Sequence, residues 1–256
     1  MRKATINGMV VEIYDSIEDL PIIRYHKYNK MLLVDAGVGS DLAAFDSHIE
    51  KAIRYINSNT PNMAAVELNN LRQNVLFIHS EVSPKNLAFA ALVKSINGKP
   101  CNDLSDDGLH NLAKRFSEVP QSEITAHVEA VKKKIDEELT LYFPRLFDNA
   151  EVKEYYDILK KRTMAVLQSI IEGETGESAR EIDNITGELI TYFNPQAYIG
   201  PESVEVKHDR QFENMCLILS QNLHVDPKEF TVLSYYNAFE FVKEQNKKAT
   251  KAAKAK

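Results

Sequence analysis

The chain has 256 residues, of which 44% are hydrophobic and 27% charged. That balance excludes a mostly disordered protein, a collagen-like fibre and a multispanning membrane protein. The formal charge of −6, from 31 Lys+Arg against 37 Asp+Glu, argues against a protein that coats nucleic acid with its whole surface. The charge is uneven. Residues 247–256 read KKATKAAKAK, and removing their five lysines takes the net charge from −6 to −11, so a basic tail follows an acidic body.

In chain order, the first element is a β-hairpin over Lys3–Tyr14 (KATINGMVVEIY). Asn7-Gly8 sits between two β-favouring runs, and both central positions of such a turn need positive φ. This is the one piece of sheet the sequence predicts, and a two-stranded ribbon is marginal alone. It therefore suggests a strand that adds to a neighbour's sheet, so that deleting residues 1–14 would abolish assembly while leaving the helices folded.

Helices follow. One starts at Pro21 and ends at Gly37. Ser40 or Asp41 caps a second, with Leu42, Phe45, Ile49, Ala52, Ile53 and Ile56 as its apolar face. Thr60-Pro61 opens a third, with Ala64, Leu68, Leu71, Val75 and Ile78 on one stripe. Ser83-Pro84 opens a fourth that runs to Ile96, stopped by Asn97-Gly98. A loop over Lys99–Asp107 and a short helix over Leu109–Val119 complete a first unit, residues 1–120.

The second unit, residues 121–246, has longer helices. Ser122–Tyr142 carries Ile124, Val128, Val131, Ile135, Leu139 and Tyr142 at nearly heptad spacing. Val152–Glu172 repeats the pattern with Val152, Tyr155, Leu159, Thr163, Val166 and Ile170. The two are expected to pack antiparallel about a turn near Phe147-Asp148-Asn149. Further helices are predicted over Ala179–Phe193, Phe212–Leu223 and Pro227–Gln245, with an irregular link over Asn194–Glu202. The predicted fold is mainly α, a bundle-like set of helices with a short N-terminal hairpin and a Lys-rich flexible tail over 247–256.

Motifs that carry chemistry are sought and not met. In Asp35-Ala36-Gly37-Val38-Gly39-Ser40 the third glycine of a dinucleotide fingerprint is replaced by Leu42, so the stretch reads as a turn between helices. Seven histidines (His26, His48, His79, His110, His127, His208 and His224) show no HxxxH, HExxH or His–Cys ligand spacing. His48 and His127 read as helix-face residues, and Asp106-Asp107 and Glu137-Glu138 as solvated faces or caps. Nucleophile signatures are absent as well. No catalytic, cofactor-binding or metal residue is singled out, and no enzyme or cofactor is expected.

Cys101 and Cys216 lie far apart, with no CxxC. The first residues, MRKATINGMV, lack the apolar run of a secretory signal. No apolar run approaches the roughly 18–20 residues that span a bilayer. The expectation is a protein of a reducing compartment without a membrane role, its cysteines reduced and packed. Eleven tyrosines suit helix seams and subunit interfaces alike. The Lys-rich tail suits nonspecific, salt-dependent DNA contact.

The stretch from Ile23 to Asp41, IRYHKYNKMLLVDAGVGSD, together with Asn69-Asn70-Leu71-Arg72-Gln73, resembles virion proteins of crAss-like tailed bacteriophages over roughly the first 100 residues. The resemblance implies a non-enzymatic structural component of the neck, head–tail connector, tail or internal contents of a virion, made in the host cytoplasm. Such parts form symmetric oligomers and contact other virion proteins. Two alternatives share the sequence features: a tail assembly chaperone that leaves before completion, and a small helical DNA-associated protein.

Overall fold

The computed structural model describes residues 1–144, 150–173, 175–192 and 194–254, without the side chains of 150–153, 191–192 and 249–254. Among the described residues there are ten α-helices and one small sheet, so the protein is mainly α with an N-terminal hairpin. Strands β1 (Arg2–Ile6) and β2 (Met9–Ile13) form that hairpin, with Asn7 at φ 46° and Gly8 at φ 72°. Helix α1 is Ile22–Gly37, α2 Leu42–Asn57, α3 Pro61–Ile78 and α4 Pro84–Leu92. Next come β3 (Val93–Ile96), β4 (Lys99–Pro100) and α5 (Asp106–Lys114). Then follow α6 (Gln121–Tyr142), α7 (Ala150–Glu172), α8 (Gly176–Tyr192), α9 (Val204–Leu223), a 3-10 turn (Pro227–Glu229) and α10 (Val232–Lys254).

Several predicted starts are met by the expected caps. The side chains of Asp41 and Ser83 accept hydrogen bonds from Ala44 N and Asn86 N, and Pro61 and Pro84 occupy the first turns of α3 and α4. The fourth predicted helix is too long. It ends at Leu92, and Val93–Ile96 is a strand paired with β2, Val11 opposite Ile96 and Glu12 opposite Ser95. Asn97-Gly98 is a second hairpin turn, at φ 49° and 76°, rather than a helix stop. The Asn97 side chain accepts from Val10 N at 2.8 Å and its own N–H reaches Val10 O at 2.8 Å. The sheet is thus antiparallel and four-stranded, in the order β1-β2-β3-β4, and the inner edge of the N-terminal hairpin is taken within the chain.

The switch from helix to strand at Leu92 is held by Arg24 of α1, which is only 4% exposed. Its guanidinium donates to Ala91 O at 3.1 Å and Val93 O at 2.9 Å, and also to Cys101 O beyond β4. A helix end leaves carbonyls without partners, and here a neighbouring helix supplies the donors. Tyr14 N donates to Leu92 O, and the Tyr14 ring lies 5.4 Å from the guanidinium carbon.

Around this junction lies one hydrophobic cluster. It takes Ile6, Val11 and Ile13 from the hairpin, Tyr25 and Tyr28 from α1, Ala88–Leu92 from α4 and Phe116 after α5. From beyond Pro120 it takes Ile124, Val128, Val131, Ile135 and Leu139 of α6, Cys216 and Leu219 of α9, and Val232, Tyr235 and Val242 of α10. The predicted α6 stripe is the buried face, except that Tyr142 is exposed. Backbone bonds Ile22 N to Phe230 O and Val232 N to Leu20 O join the starts of α1 and α10. Because Ile6, Val11 and Ile13 are fully buried, loss of residues 1–14 would remove part of this core rather than assembly alone.

Three further expectations differ from the structure. Helix α6 lies against α4, and α7 lies against α8, so α6 and α7 are not the expected pair; the turn proposed at Phe147–Asn149 falls outside the described residues. The stripe expected to be buried on α7 is turned: Ile158 is buried while Thr163 and Ile170 are exposed. Glu138 is not merely a solvated carboxylate, since it accepts from Ser16 Oγ and Ile17 N. The backbone of 247–254 continues α10. Among the described residues no helix is long and apolar enough to cross a membrane.

Replacing Arg24 by Met should lower the free energy of unfolding by about 3 kcal/mol, because buried carbonyls lose their donor. Urea unfolding followed by circular dichroism measures it. Arg24→Lys should restore little of the loss, since an ammonium lacks the planar fork that spans three separated carbonyls.

Candidate functional site

Helices α2 and α3 pack closely together, yet neither contributes to the main hydrophobic cluster. Their buried side chains are small or polar: His48, Ala52 and Tyr55 on α2, and Ala64, Glu67, Asn70 and Asn74 on α3. His48 Nδ1 lies 2.7 Å from Glu67 Oε2, and Nε2 lies 3.0 Å from Val38 O. With a carbonyl on one side and a carboxyl on the other, Nε2 must donate and one further proton sits between Nδ1 and Glu67. Asn74 also donates to Val38 O, at 3.1 Å, so the turn after α1 is gripped from α2 and α3 together.

The same network reaches the irregular link before α9. Asn70 donates to Gln196 O at 2.9 Å and accepts from Tyr198 N at 3.2 Å. Tyr198 lies across Gly37, where a Cβ would fall 1.9 Å from its ring atoms. Tyr55 donates to Ile190 O of α8 and Arg54 pairs with Asp183. Between α1, α2, α3, α8 and the link is a cleft of about 420 Å³, lined in part by Lys51, Glu67, Asn70, Thr186 and Tyr198. Burial pushes the Tyr198 hydroxyl pKa up, helped by the Glu67 charge. Several polar groups facing this cleft bind one another, Asn70 with Gln196 and Tyr198, and Tyr55 with Ile190.

The consequence appears on the outside. Leu42, Ile53 and Ile56 of the predicted α2 stripe are exposed, Leu42 by 69%, and so are Leu68 of the α3 stripe and Leu76. His48, expected on a helix face, is 3% exposed and Glu67 is 5% exposed. The α2–α3 pair therefore turns much of its apolar surface to solvent and the hydrogen-bonded His48 and Glu67 inward. Helix α7 adds a second surface of the same kind, Tyr156, Met164, Leu167, Ile170 and Ile171, with Ile171 exposed by 83%.

A separate cluster joins α1 to α9. His26 is stacked between His208 and Phe212, with ring centroids 4.4 Å and 4.1 Å away. His26 Nε2 lies 2.7 Å from Asp209 Oδ1, and Lys30 Nζ lies 3.1 Å from Asp209 Oδ2. Burial works to raise the Asp209 pKa, but the bonds from His26 and Lys30 outweigh it and hold the carboxyl below its usual range. Burial and the neighbouring His26 push His208 down to about 4, so it is neutral at physiological pH. Burial also lowers His26, against the pull of Asp209.

The histidine pattern gave no hint of this convergence. His26 and His208 are far apart in the chain, and only the packing of α1 on α9 brings them together. His127 lies near Phe89, with ring centroids 5.9 Å apart. Cys216 is buried, Cys101 is half-buried, and both are free thiols. Asp106 lies in the first turn of α5 and pairs with Lys27. Lys247 and Lys248 are exposed, and the remaining tail side chains lie outside those described.

In comparisons with known proteins, no family model, no curated protein and no solved structure matches this chain.

Gly37→Ala should push the Tyr198 ring off α1 and release the link over 194–198. Limited proteolysis should then cut the link faster, while the main core, which contains neither residue, keeps its helical circular dichroism.

Proposed function

We propose that this chain is a non-enzymatic structural component of a tailed-phage virion, in the head–tail connector or tail, where copies of it form a symmetric ring. It is made in the host cytoplasm and resides in the particle. The observation that supports the reading is the outward apolar surface of α2–α3, set over an interior occupied by His48, Glu67, Asn70 and Asn74. Burying polar groups while exposing Leu42, Ile53, Ile56, Leu68 and Leu76 makes little sense for a free monomer, because exposed apolar patches mark interaction surfaces. The α7 surface is a second, different patch. A ring needs two unlike patches on each subunit, since its contacts run head to tail and close by rotation.

The resemblance of residues 23–41 to virion proteins of crAss-like phages supplies the particle; the apolar surfaces supply the reason to oligomerise. The decisive experiment is quantitative mass spectrometry of density-purified particles. A fixed stoichiometry that survives a salt wash is expected. Abundance in infected cells with absence from particles would overturn the reading in favour of a departing assembly chaperone. On the purified chain, light scattering should show an oligomer that the double variant Ile53→Asp, Ile56→Asp converts to a monomer. The monomeric variant should keep its helical circular dichroism, because neither side chain belongs to the chain's own core.

A further inference from the structure

We propose that His26, His208 and Asp209 form a binding site for a divalent transition-metal ion of the zinc type, tying α1 to α9. Among the described residues this is the one group of three His, Cys, Asp or Glu side chains whose ligand atoms all lie within 4.8 Å of one another. Ligands sharing one tetrahedral zinc, with bonds of about 2.1 Å, lie roughly 3.4 Å apart, so the three groups start close to one another but have to draw together around the ion.

The observation that points to a ligand is His208 Nδ1, which is buried and has no hydrogen-bond partner. Such an atom is costly to leave unsatisfied, by about 1–3 kcal/mol, and an electron pair on an uncharged imidazole is what a metal ion takes up. His26 and Asp209 already share a proton across 2.7 Å. The ion takes that proton's place, and the proton moves to the other ring nitrogen of His26. Lys30 binds the far carboxylate oxygen, Oδ2, fixing Asp209 while leaving Oδ1 directed at His26. Partners of this kind orient metal ligands in established sites.

Charge decides whether a dication is tolerated beside Lys30. The carboxyls of Asp106, Glu205 and Asp209 and the ammonium groups of Lys27 and Lys30 act on one another here, so the acids outnumber the bases. Two imidazoles and one carboxylate favour zinc, cobalt or nickel over magnesium or calcium, which prefer oxygen-only shells.

Geometry adds one requirement. The rings of His26 and His208 are within 10° of parallel, and an imidazole lone pair lies in its ring plane, so one ion cannot serve both rings while they stay stacked. His208 has to turn out of the stack. A cavity of about 270 Å³ adjoins it, lined by Phe212, Met215, Tyr235 and Tyr236 among others, and gives the ring space to do so. A water or a small ligand from that cavity completes the coordination.

The test uses the full chain without an affinity tag, stripped with chelator and titrated with Zn²⁺ by calorimetry and with Co²⁺ by visible absorption. One saturable ion per chain is expected. His208→Gln and Asp209→Asn should each weaken binding by about tenfold or more, while His79→Gln, an exposed histidine on another face, should leave it unchanged. Imidazole nitrogen chemical shifts of the unaltered protein provide a readout that no folding defect can blur: those of His26 and His208 should move on adding Zn²⁺. Absence of saturable binding, equal binding by the His208 and His79 variants, or shifts confined to other histidines would overturn the proposal.

Discussion

Arg24 is the interaction on which the main core depends. A guanidinium buried without a carboxylate partner is costly, and burial lowers its pKa accordingly. It is retained because one planar fork satisfies the carbonyls of Ala91, Val93 and Cys101 together. Those three groups belong to the end of α4, the start of β3 and the chain leaving β4. Without a common donor, ending α4 at Leu92 inside a fully buried segment would leave these carbonyls unsatisfied, at a cost in stability. The sheet, the helix that feeds it and the helix that covers it are thus coupled through one side chain of α1.

The chain uses two kinds of interior. Around Phe89 and Phe116, whose rings meet edge to face at 5.1 Å, apolar burial holds the sheet together with α1, α4, α6, α9 and α10. Around His48 and Glu67, polar contacts hold α2 and α3 to the turn at Val38 and to the link at 196–198. Apolar packing tolerates small changes of shape, whereas a buried hydrogen-bonded pair has one good arrangement and loses several kcal/mol if half of it is removed. That second interior holds a defined conformation without using the outer apolar residues. Leu42, Ile53, Ile56 and Leu68 stay available for contact, which is the link between this unusual packing and the proposed role in an assembly.

Much of the local structure was legible in the sequence. Asn7-Gly8, Ser40-Asp41, Thr60-Pro61 and Ser83-Pro84 mark their elements, Asp41 being the residue that caps α2, because turns and caps are decided by a few neighbouring residues and their φ preferences. The α6 stripe from Ile124 to Leu139 was also read correctly, since a helix laid on a single apolar core has one buried face. Misreadings arose where a distant partner arbitrated. Val93–Ile96 reads as helix although Asn97-Gly98 carries the same turn signal as Asn7-Gly8. An apolar run of that length suits a buried helix or strand equally, and only pairing with Val11 and Glu12 decides between them.

The sequence by itself therefore determined the helical class, most element starts and the N-terminal hairpin turn, because these follow from steric and hydrogen-bonding preferences within a few residues. Tertiary structure alone decided which face of α2, α3 and α7 points inward, since a stripe of leucines and isoleucines does not say whether it meets this chain's core or another molecule. It alone brought His26 beside His208 and Asp209, because ligand spacing in a sequence reports only sites built within one element. The physical reason is common to both. Burial and convergence depend on what lies across a contact, and residues far apart in the chain supply it.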